Sequence, residues 1–254
     1  MKFTRYIGID YSGAATPESR LKTLQVYRAG RSQAPQKVLP PQGSRQWSRR
    51  EIAAYCERML SSDAPVIIGI DHGFSFPSDY MRRYGLADWD AFLDDFVRHW
   101  PTAEPGVSVE SVRSGNRRTG DVSELRLCEQ WTATAKSVFL FDVQGAVAKS
   151  THAGLPWLHA LRTTEALQTR VHFWPFDGFR VAAGKSVVAE AYPALYKRRY
   201  TKAGRTPDEQ DAWSVAAWLR EADRRGALEA YFNPPLTRTE RSLAALEGWI
   251  LGVW

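Results

Sequence analysis

Three apolar segments of this chain each end in an acid, and a further acid pair opens a segment near the C-terminus. Asp10 closes the stretch from Phe3, Asp71 closes Val66-Ile67-Ile68-Gly69-Ile70-Asp71, and Glu190 closes Lys185-Ser186-Val187-Val188-Ala189-Glu190. Asp208 and Asp211 stand three residues apart, which makes them neighbours on a helix surface. From Asp211, the residues Val215, Trp218 and Ala222 continue as an apolar stripe, so Asp211 crowns the face that must pack inward. Carboxylates brought together and partly buried repel one another and demand protons or a cation. Oxygen-only ligands select hard ions, Mg²⁺ or Mn²⁺. Two such ions about 3.5 to 4 Å apart can activate a water and stabilise the leaving oxygen of a phosphodiester. Asp10, Asp71, Glu190 and Asp211 are therefore the candidate catalytic metal ligands, with Asp208 as an additional ligand. Each acid also has a plainer reading: Asp208 suits the positive end of a helix dipole, and Asp10 and Asp71 precede the turn formers Ser12-Gly13 and Gly73. Joint occurrence at strand ends, where ligands gather in open α/β sheets, is what favours a shared site.

The elements that must position these acids follow from periodicity. Residues 3–10 predict a first strand, the alternation Leu21 to Tyr27 a second, and Gln36 to Leu39 a short third before Pro40-Pro41-Gln42-Gly43, together an antiparallel meander. Ser48 and Glu51 form a capping-box pair, and Ile52, Tyr55 and Met59 carry a helix to about Leu60. The unbroken apolar run 66–71 predicts a strand covered on both faces. A helix is expected over Asp88 to Trp100, and a Gly/Arg-rich loop over Ser114 to Gly120. Thr206, Pro207 and Glu209 make a strong helix start, with Gly226 as its stop. A last helix is expected from about Thr239 to Ile250.

Asp10 after the first strand, Asp71 at a later strand end, and a C-terminal helix opening Asp208-x-x-Asp211-Ala212 resemble the metal-binding carboxylates of the ribonuclease H-like superfamily, Holliday-junction resolvases especially. Where that pattern often carries glutamate at the second strand end, this chain has Asp71. Ile9-Asp10, Ile70-Asp71, Trp174-Pro175-Phe176-Asp177-Gly178, Glu190-Ala191-Tyr192-Pro193-Ala194-Leu195, Asp208 to Leu219 and Glu247-Gly248-Trp249-Ile250-Leu251-Gly252 resemble, more closely, the nuclease-like family called domain of unknown function four-two-nine. The resemblance implies one ribonuclease H-like α/β domain over 1–254, with a mixed five-stranded sheet flanked by helices and an insertion at 74–180. It also implies a metal-dependent nuclease or phosphodiesterase. Two other readings are a nucleic-acid- or nucleotide-binding module without turnover, and an actin-like ATP-binding or kinase-type enzyme. The latter would need a second glycine-rich phosphate loop and a duplicated core, and the sequence carries neither.

A formal net charge of +6 suits an anionic partner such as nucleic acid. Lys197, Arg198, Arg199, Lys202 and Arg205 lie between Glu190 and Asp211, where phosphate contacts would be useful. Ser12 and His72, next to Asp10 and Asp71, are further candidate substrate contacts. Arg113, Arg117 and Arg118 offer a second basic group, equally readable as a solvated loop. Gly178 to Ser186 fails as a phosphate loop, since five residues separate its glycines where four are required. Cys56 and Cys128 lack the spacing of a zinc site. The N-terminus lacks the apolar core of a secretory signal, and no apolar run reaches the roughly 20 residues of a membrane span. A cytoplasmic protein is expected.

Overall fold

The computed structural model describes residues 2–41, 43–132, 134–143 and 145–254. Six strands form one mixed sheet: β1 (Arg5–Asp10), β2 (Gln25–Gly30), β3 (Gln36–Lys37), β4 (Val66–Asp71), β5 (Val171–Trp174) and β6 (Ser186–Glu190), in the order β3-β2-β1-β4-β6-β5. The expected meander is present, β1 and β3 each running antiparallel to β2. The remaining pairs, β1 with β4, β4 with β6 and β6 with β5, are parallel. The helices are α1 (Arg49–Leu60), α2 (Ser78–Tyr84), α3 (Trp89–His99), α4 (Val109–Arg113), α5 (Leu127–Gln130), α6 (Ala148–Thr163), α7 (Glu165–Gln168), α8 (Pro207–Arg224), α9 (Leu228–Phe232) and α10 (Arg238–Glu247). The capping boxes Ser48 with Glu51 and Thr206 with Glu209 both form.

The architecture is thus α/β, with a six-stranded sheet in place of the five strands expected. The added strand, β5, lies inside 74–180. Its four residues, Val171-His172-Phe173-Trp174, are too few for periodicity to separate strand from helix. Two smaller differences concern ends. β2 starts at Gln25, because Leu21 is taken by an isolated bridge to Trp47. α10 stops at Glu247, because Gly248 adopts φ 79° and breaks the helix.

Side chains alternate across the sheet. One face carries Ile7, Ile9, Ile68, Ile70 and Val188, covered by residues such as Ile52 of α1, Phe92 and Phe96 of α3 and Leu155 of α6. The other carries Tyr6, Ile67, Val187 and Ala189 beneath Val215, Trp218 and Leu219 of α8. On that second face Gly8 and Gly69 sit side by side. A Cβ at Gly8 would stand 2.1 Å from the Ala212 carbonyl oxygen, and one at Gly69 2.6 Å from Val215 Cγ1. The glycine pair therefore lets α8 lie directly on the strand backbones.

Both sheet edges are short. β3 has two residues, and on β5 the Phe173 N–H donates to the Asp177 carboxylate (2.8 Å) while the Phe173 carbonyl accepts from the Asp177 N–H (3.0 Å). No helix among the described residues is long and apolar enough to cross a membrane.

Candidate metal centre

Strand parity and register bring the first two acids together. Asp10 and Asp71 are paired in register at the ends of parallel β1 and β4, two residues beyond Gly8 and Gly69 and so on the same face. That is the face covered by α8. Because α8 rests on the two glycines, Asp211, one turn ahead of Val215, reaches the same place. One carboxylate oxygen from each of Asp10, Asp71 and Asp211 lies within 4.8 Å of the others, and all three residues are half-buried.

Burial and mutual repulsion dominate the electrostatics. Asp10 is held well above the ordinary carboxylate range, first by burial and then by Asp71, Asp208 and Asp211. Asp71 is raised likewise, by burial and then by Asp211. Asp211 is raised by burial, against the pull of Lys197, whose Nζ donates to Oδ2 at 2.9 Å. The other oxygen, Asp211 Oδ1, is buried without a hydrogen-bond partner. A single ammonium therefore faces three clustered carboxylates, one of them with an unsatisfied buried oxygen. Such a donor set fits a hard divalent cation.

The remaining candidates divide. Asp208 lines the same cleft, half-buried, with its carboxyl raised by burial and by Asp211. It stands outside the close triad. Glu190, expected among the ligands, lines the same cleft but stands outside the close triad. Its register partner is Ile70, so its side chain projects from the opposite face to Asp71. There Arg126 Nη1 and Nη2 each donate to it at 2.7 Å, and the Phe74 N–H adds a third bond at 2.9 Å. Arg126, fully buried, also donates from Nε to Glu129 at 2.9 Å. Glu190 thus anchors a buried ion-pair network that ties residues 126–129 to the sheet.

Among the basic candidates only Lys197 touches the triad. Arg198, Arg199 and Lys202 are exposed and do not line the cleft. Arg205 packs over Trp213, 4.1 Å from its ring centre, and donates to Gln210 and the Thr201 carbonyl. Ser12 lines the cleft, its hydroxyl accepting from the Ala14 N–H at 3.3 Å. His72 is buried beneath the cleft against Tyr11 and Phe74, its Nδ1–H donating to the Gly73 carbonyl at 2.8 Å. Burial pushes its pKa down to about 4, so at neutral pH it offers no positive charge to a phosphate. In the second basic group, Arg113 and Arg118 are held by Asp142 and Asp95. Cys56 and Cys128 are both buried and unpaired.

The cleft holding the triad has a volume of about 590 Å³. A larger cavity of about 730 Å³ lies beside α3, α6 and β5. Among its lining residues Arg162 pairs with Asp90 and Asp177, and His159 Nε2 lies 2.9 Å from Asp94 Oδ1. The smaller cleft is where three carboxylates cluster.

No family model, curated protein or solved structure matches this chain.

Three contributors lay outside the sequence reading. Arg126 sits in an irregular stretch where nothing marks it as a partner of Glu190. Gly8 and Gly69 are legible as small residues inside strands, a signal of close backbone approach, but only register makes them a pair. Tyr196, stacked on Trp218 (4.6 Å between ring centres), buries a hydroxyl that has no hydrogen-bond partner. Burial first, and then the charge of Asp71, pushes its pKa up.

Proposed function

We propose that this chain is a divalent-metal-dependent phosphodiesterase acting on nucleic acid, with Asp10, Asp71 and Asp211 holding Mg²⁺ or Mn²⁺. The observation that carries this reading is the unpartnered buried Oδ1 of Asp211 in a triad whose two other members are held above the ordinary carboxylate range by burial and by neighbouring carboxylates. The resemblance to ribonuclease H-like nucleases supports the same chemistry. The bound ion would supply Lewis acidity to a phosphoryl oxygen and lower the pKa of a coordinated water. The chain's own part is positional. Strand backbones fix Asp10 and Asp71, the α8 backbone fixes Asp211, and Lys197 orients one Asp211 oxygen so that the other faces its neighbours. Arg198, Arg199 and Lys202, on the turn preceding α8, are available to hold phosphate groups outside the cleft.

The test is cleavage by the purified chain of single-stranded, duplex, hybrid and branched nucleic acids in Mg²⁺ or Mn²⁺. Activity removed by EDTA and by Asp10→Asn supports the reading. Absence of cleavage on every substrate, together with no Mn²⁺ binding in equilibrium dialysis, overturns it.

A further inference from the structure

The metal cleft is shaped as a pocket, and we infer that it takes a single-stranded phosphodiester terminus or a short nucleotide, and excludes the interior of a duplex. This deepens the phosphodiesterase reading and rests on it.

Three observations carry the inference. First, the cleft volume of about 590 Å³ falls within the roughly 300 to 1,000 Å³ of pockets that enclose small ligands. A duplex is engaged by a surface instead, with roughly 1,000 to 2,500 Å² of protein buried along a basic track. Second, the cleft's charges do not form such a track. Asp10, Asp71, Asp208 and Asp211 face it, and of the three cationic side chains that line it, Arg126, Lys136 and Lys197, Arg126 is consumed by Glu190 and Glu129 while Lys197 is engaged by Asp211. A duplex laid across this opening would bring two dense rows of phosphate against acids. A single phosphodiester would be met by the bound cation.

Third, two walls of the cleft are fastened to each other. Thr134 and Tyr192 both line it, one before α6 and the other after β6. The Tyr192 hydroxyl donates to the Thr134 carbonyl at 3.1 Å, and the two hydroxyls are 3.1 Å apart, so that Thr134 Oγ1 donates in return. The bridge spans 58 residues of sequence and makes one side of the cleft a wall. A third side is the first turn of α6, whose residues Val147 and Ser150 line the cleft and which has no side-chain cap. Amide N–H groups of that turn would donate to phosphate oxygens. A strand end can enter such a pocket. A continuous duplex cannot pass through it.

The experiment first measures Mn²⁺ binding to the full chain by equilibrium dialysis, then titrates the Mn²⁺-loaded protein with the dinucleotide pTpT and with a 20-base-pair blunt duplex. The expected result is Mn²⁺-dependent pTpT binding, weakened at least tenfold by Asp10→Asn, which the duplex does not displace. In parallel, a linear single strand should be cut at least a hundredfold faster than a circular one of the same sequence. If Mn²⁺ loads but pTpT fails to bind, or if duplex displaces it, or if circle and linear strand are cut equally, the inference is overturned and the metal site stands. If Mn²⁺ does not load, the phosphodiesterase reading and the inference fall together.

Discussion

Replacing Asp10 by asparagine should stabilise the metal-free protein while abolishing its response to metal. Oxygens of Asp10, Asp71 and Asp211 come within 4.8 Å of one another, and two unit charges at that distance repel by roughly 3.5 kcal/mol at an effective dielectric of 20. The residues are half-exposed and Lys197 supplies an opposing charge, so solvent and lysine should reduce the gain to about 1 to 3 kcal/mol. For a chain of this size that corresponds to a rise in Tm of roughly 2 to 4 °C per kcal/mol. The pH dependence has a definite sign. Asp10 is raised above its unfolded pKa of 3.8, so the folded state binds more protons than the unfolded state. Stability is full below that value and falls as pH rises through the raised folded pKa. Asp10→Asn should therefore stabilise strongly at pH 8 and weakly at pH 4. Wild-type protein at pH 8 should gain about 2.7 kcal/mol when Mg²⁺ is present at a hundred times its Kd, and the variant should gain far less. Thermal melts of both proteins at pH 4 and 8, with EDTA or MgCl₂, measure all of this. A variant less stable than wild type in EDTA at pH 8, or a wild-type Tm indifferent to both Mg²⁺ and Mn²⁺, refutes the reasoning.

Gly8→Ala should lower stability by about 1 to 3 kcal/mol and weaken Mn²⁺ binding, because a Cβ 2.1 Å from the Ala212 carbonyl oxygen forces α8, and Asp211 with it, off the strands; calorimetric melts and dialysis check the pair. Arg126→Met leaves Glu190 and Glu129 buried without their counter-ion and should cost about 3 to 5 kcal/mol in urea unfolding, with partial recovery when Glu190→Gln is added. Tyr196→Phe removes a buried hydroxyl that has no partner; urea unfolding should show the variant equal to or about 1 kcal/mol more stable than wild type, and a clear loss would mean that the hydroxyl is bonded in solution.

Much of the fold was legible because strand-length apolar runs and capping boxes are local signals. The strands ending at Asp10, Asp71 and Glu190, the helix caps at Ser48 and Thr206, and the stripe behind Asp211 all appear in the structure. β5 escaped because four residues, one of them His172, carry no period. The site was legible only to the level of residue type. Asp10 and Asp71 converge because their strands are adjacent and in phase, whereas Glu190 ends an equally convincing strand that is out of phase with them by one residue. A one-residue change of register sends a side chain to the other face, and no local pattern reports register between strands as far apart in the chain as those that pair Ile70 with Glu190. Arg205 and His72 show the same limit: their types suit substrate binding, and packing against Trp213 and beneath Tyr11 uses them otherwise.

The Asp177 clasp on Phe173 reaches beyond its own turn. An unpaired strand margin invites a further chain to dock by main-chain bonding, the usual route to runaway self-association. Here the outermost rung on one flank is filled from within by the carboxylate and the amide of one residue four positions beyond Phe173, and the opposite flank offers two residues, one of them Lys37, whose ammonium is held by Glu209. With one margin clasped and the other only two residues long, little main chain is left on which a further strand could extend the ladder.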